Sequence, residues 1–175
     1  MRQDDGVPTM LVLTENALLP HDVERLQTLY GDSDRSIHVC VPSREAEGTL
    51  DVADDVVDDV NRTDFSDIAE DVSGDDRTPV EVTQRAKRHL AASVSSLQAA
   101  GLEADGELVP ESPSERVVEI AVQQGAVEII VITAPHWLDE VLRRDWATKI
   151  YKSLKHDHQE IPVLHFIAGT DTVVR

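Results

Sequence analysis

The sequence predicts an α/β protein: a doubly wound, five-stranded parallel sheet with helices on both faces, in one domain over residues 1–175. Three observations predict it. Short apolar runs alternate with amphipathic segments of helical period, the pattern of βαβ units with right-handed crossovers. The run at 9–14 (TMLVLT) has no polar alternation, as suits a strand buried on both faces. The helical segments carry punctuation: prolines near the starts of two and glycines at the ends of three.

Each element can be justified in order. After the strand at 9–14, residues 21–30 form a helix on the spacing of Val23, Leu26, Leu29 and Tyr30, stopped by Gly31. Residues 36–42 (SIHVCVP) form a second strand, rich in β-branched residues and ended by proline. Residues 43–77 change character to Asp and Glu with few large apolar residues. They read as an acidic insertion with short helical stripes at Val52, Val56, Val60 and at Phe65, Ile68, Val72. Thr78-Pro79-Val80-Glu81 has the composition of a capped helix start. Val82, Ala86, Leu90, Val94 and Leu97 then share one face as far as Gly101.

A third strand follows at 102–109. The start signal recurs at Ser112-Pro113-Ser114-Glu115, and that helix runs to Gly125. Residues 127–133 (VEIIVIT) are the most strand-like of the chain and belong at its centre. A helix over 138–156 leads to a last strand at 162–167 (PVLHFI), and residues 168–175 form an extending tail. In this order the sheet reverses between the first and fourth strands, so ligands belong at their carboxyl ends.

Composition excludes some partners. With 34 acidic against 16 basic residues the formal net charge is −18, which disfavours binding to nucleic acid or to an anionic membrane surface. The acid excess fits either a solubilising surface or adaptation to high salt. Cys40 is the only cysteine, so no intrachain disulfide forms. No run is long enough for a secretory signal or a membrane span, and a cytoplasmic location is expected.

Several residues invite a chemical reading, each beside a plainer one. His136, next to Trp137 after the fourth strand, is placed to be an acid–base group or to meet a ligand phosphate, but the reading favoured is a polar loop residue packed by the indole. His156 and His158, with Asp157 and Glu160, have chelate spacing but sit at a helix end, where cationic His complements the dipole. No metal site is expected. His38 and Cys40 share a side of the second strand, where a mid-sheet cysteine is ordinarily a small core residue. Arg143, Arg144, Lys149, Lys152 and Lys155 form a basic run suited to an anionic ligand or an acidic protein face, or to pairing with the insertion. The insertion has no EF-hand spacing; its position after the second strand makes it a candidate lid.

The second half resembles the universal stress protein family. The resemblance rests on Ala100-Gly101 before a strand, the helix start Glu111-Ser112-Pro113, the strand Gly125-Ala126-Val127-Glu128-Ile129-Ile130-Val131, and Pro162-Val163-Leu164. Over the rest of the chain it rests on element order. It implies a Rossmann-like fold of the adenine nucleotide alpha hydrolase-like kind. Family members that bind ATP are marked by Gly-x2-Gly-x9-Gly-Ser/Thr after the fourth strand, where bare Cα positions let backbone N–H groups reach phosphates. Here that spacing falls on Thr133, His136, Trp146 and Ala147, and no glycine occurs between Gly125 and Gly169. A tryptophan is expected near the presumed phosphate path. The family's Thr-Asp after the first strand is Thr14-Glu15, which keeps the charge and lengthens the arm.

The resemblance thus implies a non-enzymatic stress-response regulatory or interaction protein that does not bind ATP in the family's usual mode and has no catalytic residues or cofactor. It also implies a homodimer through the last strand, with Pro162, Val163, Leu164 and Phe166 at the interface; an exposed sheet edge needs a partner. An unidentified protein partner is compatible with this reading. Two other classes stay open. One is an adenine-nucleotide-binding protein with an altered pocket built from Thr14, Glu15, Val41 and His136. The other is a nucleotide hydrolase-like enzyme, which lacks its expected Gly- and Ser-rich loop, since Glu15-Asn16-Ala17-Leu18 follows the first strand.

Overall fold

The computed structural model describes residues 7–43, 79–135 and 140–174. The acidic insertion, and the tetrapeptide containing His136 and Trp137, lie outside the described residues. The elements are β1 (Thr9–Thr14), α1 (Pro20–Tyr30), β2 (Ser36–Ser43), α2 (Pro79–Ala99), β3 (Glu103–Pro110), α3 (Ser114–Gln123), β4 (Glu128–Thr133), α4 (Glu140–His156), β5 (Val163–Ile167) and β6 (Val173–Val174).

The strands form one sheet in the order β3-β2-β1-β4-β5-β6. The first five are parallel, and β6 lies antiparallel to β5. β1 is flanked by β2 and β4, so the strand order reverses where the sequence places the reversal. Alternate residues of the central strands divide between two cores. Met10, Val12, Ile130 and Ile132 pack with Leu26 of α1 and Leu97 of α2. Leu11, Leu13, Ile129 and Val131 pack with Ile120 of α3 and Ile150 of α4. This two-sided burial is why β1 and β4 read as apolar runs. Each fully buried aliphatic side chain contributes about 1.5–3 kcal/mol by leaving water.

The glycine stops behave as expected at two places. Gly101 and Gly125 have φ of 83° and 61°, the left-handed conformation that lets the chain leave a helix. After each, a backbone N–H returns to the last turn: Leu102 to Leu97 at 3.0 Å and Ala126 to Ala121 at 2.8 Å.

Three expectations need correction. The Ser112 capping box does not form. Pro113 is itself the N-cap, with helical φ and ψ, and its carbonyl accepts the first helical bond from Val117 N–H at 2.9 Å; no side chain caps the helix. Second, the last parallel strand is not the sheet edge: β6 pairs with His165 and Phe166. Third, residues 168–174, expected as an extending tail, fold back on the sheet and on α1. Asp22 accepts Gly169 N–H at 2.8 Å. Arg25 donates to Thr170 C=O and to the Asp171 carboxylate, the latter at 3.1 Å, while its guanidinium lies over the Phe166 ring. The segment turns back because α1 supplies these partners, none of which is adjacent in sequence.

Candidate functional site at the carboxyl ends of the strands

The crevice at the tips of β1 and β4 is the position at which this topology holds ligands. Thr14 ends β1, and its hydroxyl donates to Asn16 C=O at 2.9 Å. The loop that follows is tied to α2 at two points. Leu18 N–H donates to Ser93 Oγ at 3.0 Å, and Ser93 Oγ donates to His89 C=O at 2.8 Å. His89 Nδ1 bonds Glu15 C=O at 3.3 Å, which requires the proton on Nδ1. From this backbone the Glu15 side chain crosses to β4, where Oε1 accepts Ala134 N–H at 3.0 Å. Ala134 directly follows Thr133, the last residue of β4.

Electrostatics differ on the two sides of the crevice. Burial holds the His89 imidazole below its ordinary value; the bond to Glu15 works against this, and Arg85 and Arg88 reinforce it. His89 is therefore neutral at physiological pH, with cationic Arg85 and Arg88 nearby on α2. On the other side, buried Thr133 Oγ1 lies 2.9 Å from His165 Nε2.

The residues singled out in sequence separate into groups. Thr14, Glu15 and Thr133 come together at the crevice. Val41 is fully buried in β2 within the α1/α2-side core. Trp146 and Ala147 are half-buried inside α4 and pack on the α3/α4-side core. His136 lies outside the described residues. Phe166 is buried in the chain's own core, and Leu164 is half-buried beside it. His89 escaped sequence reading, though it sits one helical turn from Arg85 and from Ser93, on the side of α2 that meets the β1 loop.

Cys40 is buried at the middle of β2, and burial pushes its thiol up to about 12, as a core residue requires. His38, on the same side, faces Asp105 Oδ1 at 2.7 Å and Glu107 Oε1 at 3.2 Å, and Glu107 also pairs with Arg116 at 3.1 Å. His156 is exposed and pairs with the neighbouring Asp157 at 3.1 Å. Among the described residues, no group of three or more His, Cys, Asp or Glu is placed to hold a metal ion, and no helix is long and apolar enough to cross a membrane.

Two solved structures share this architecture. One is the universal stress protein from Archaeoglobus fulgidus in complex with dAMP, at 13% identity and a TM-score of 0.51, covering 91% of this chain and 98% of that one. The other is the universal stress protein from Archaeoglobus fulgidus, at 14% identity and a TM-score of 0.50, covering 91% and 93%. The fold is that of the universal stress proteins. No protein-family model and no curated protein matches the sequence. Within this fold, Glu15 reaches from the end of β1 to Ala134 at the end of β4, and α4 runs unbroken from Glu140 to His156.

Proposed function

We propose that this chain is a regulatory or interaction protein of universal stress protein type, cytoplasmic and without catalytic activity, that does not take ATP in the family's usual mode. The observation that supports this most directly is the position of Trp146 and Ala147. Both lie more than one turn inside α4 (Glu140–His156), where backbone N–H groups are bonded to carbonyls of the preceding turn. Amides so engaged are not donors to a phosphate. Calorimetric titration with ATP and magnesium is expected to give no binding in the micromolar range; a micromolar dissociation constant would overturn the reading.

The proposal includes a homodimer along β5. Because β6 pairs with His165 and Phe166, the contact narrows to Pro162, Val163 and Leu164, beyond the residues that β6 pairs. Light scattering at micromolar concentration should give twice the 19.3 kDa chain mass. A monomer there removes the dimer from the proposal.

A second reading, an adenine-nucleotide-binding protein with an altered pocket, draws support from Arg85 and Arg88 beside His89 and from the dAMP held by the fold neighbour. It predicts that adenine nucleotides perturb Trp137 or Trp146 fluorescence. An unchanged spectrum at millimolar AMP counts against it.

A further inference from the structure

The loop after β1 places a carboxylate where a ligand anion would find its backbone donor. Three hydrogen bonds hold that loop: Thr14 to Asn16 C=O, Leu18 N–H to Ser93, and His89 to Glu15 C=O. The Glu15 backbone is therefore fixed against α2 while its carboxylate reaches Ala134 N–H at 3.0 Å on β4. A strand-tip N–H at the topological switch point is the kind of donor a phosphate oxygen uses in this class of sheet. Here it is bonded to an acceptor of the same chemical type, supplied by the chain itself.

We infer that Glu15 is the specificity-determining residue of the crevice: its carboxylate is a tethered competitor that bars phosphate monoesters from the tip of β4. The inference rests on the crevice being a ligand position, as the second reading above holds, and adds the residue that decides which ligands enter. Three physical effects act together. The tether gives the carboxylate an effective concentration in the millimolar range or above. Its charge repels a phosphate at short range. Its length is specific, because aspartate is one methylene shorter and loses the span to Ala134. Removing the carboxylate leaves Ala134 N–H as an open donor, with Arg85 and Arg88 near His89 on the α2 side. A charge-assisted bond of this kind shifts an equilibrium by about tenfold to a hundredfold.

The test is calorimetric titration of the wild type, Glu15→Ala, Glu15→Asp and Glu15→Gln with AMP and, separately, with inorganic phosphate. Glu15→Ala should bind AMP at least tenfold more tightly than the wild type, and Glu15→Asp, which loses the span but keeps the charge, should gain less. Glu15→Gln keeps an acceptor for Ala134 but not the charge, so its gain should be smaller; it also serves if Glu15→Ala does not fold. Gain with both probes assigns the effect to the phosphate, and gain with AMP alone assigns it to the whole nucleotide; either supports the inference. The Ala134 amide proton resonance should move upfield in Glu15→Ala. Equal affinities across the series, weaker AMP binding in Glu15→Ala, or an unmoved Ala134 resonance overturns it. The two proposals fail separately. Micromolar ATP binding by the wild type sinks the functional reading, yet a further tenfold gain in Glu15→Ala keeps the role of Glu15. A wild type and variants that all ignore both probes leave the functional reading standing and remove the role of Glu15.

Discussion

The Asp22 carboxylate, in the first turn of α1, accepts the backbone N–H of Gly169 at 2.8 Å from beyond the end of β5. Its other oxygen accepts Leu19 N–H at 3.2 Å, so one buried side chain both starts α1 and fastens the segment after β5 to it. A buried acceptor serving two backbone donors is costly to delete, because the donors are left without partners.

Asp22→Ala is therefore expected to lower unfolding free energy by about 1–3 kcal/mol. Asp171→Ala should leave the denaturant midpoint unmoved within error, because Asp171 meets His21 and Arg25 at a fully exposed position. Equal losses for the two variants would mean that the ion pairs, and not the Asp22 bonds, hold the segment.

Ile130, fully buried in β4 beside β1, tests the α1/α2-side core. Ile130→Ala should cost about 2–5 kcal/mol, by transfer and cavity terms together. A loss under about 1 kcal/mol in chemical denaturation would show that this face is loosely packed.

His89 gives stability a pH dependence of known sign. Burial is the largest cause of its depression, so the folded state binds a proton less readily than the unfolded chain does. The contribution is complete above the unfolded value of about 6.5 and is lost as pH falls below it, toward the folded value. His89→Gln should accordingly lose less stability than the wild type between pH 7.5 and pH 5. Parallel pH profiles for the two proteins would contradict this.

Cys40 should not react with a thiol-specific aromatic disulfide in the native protein, being fully buried with its thiol pushed up to about 12. One equivalent should react in denaturant, since Cys40 is the only cysteine. Rapid native labelling would mean that β2 opens locally.

The frame of the fold was legible because local signals agreed with one another. β1 and β4 read as apolar runs because both faces are covered, and Gly101 and Gly125 mark helix ends that need a left-handed residue. The misread parts depend on partners distant in sequence. β6 forms because α1 supplies Asp22 and Arg25, and two valines alone give no strand signal. Ser112 carries the composition of a cap, but the N-cap falls one residue later than the capping pattern requires, on Pro113, whose side chain has no acceptor to offer. At the crevice, Thr14, Glu15 and Thr133 followed from topology. The bond from Glu15 to Ala134 depends on the β1–β4 register, which composition does not encode. His89 was hidden because one histidine on an amphipathic helix has no distinguishing pattern until the β1 loop is laid against it.

The register of β1 also bears on how the chain is made. β2 follows β1 closely in the chain, but the other side of β1 waits for β4, where Met10 finally meets Glu128. At ribosomal speeds the interval is on the order of ten seconds. Throughout it, a greasy ribbon from Met10 to Leu13 presents unclaimed amides and carbonyls to solvent, an invitation to stray β-pairing that a chaperone, or the nascent acidic stretch by repulsion between neighbouring chains, must hold off.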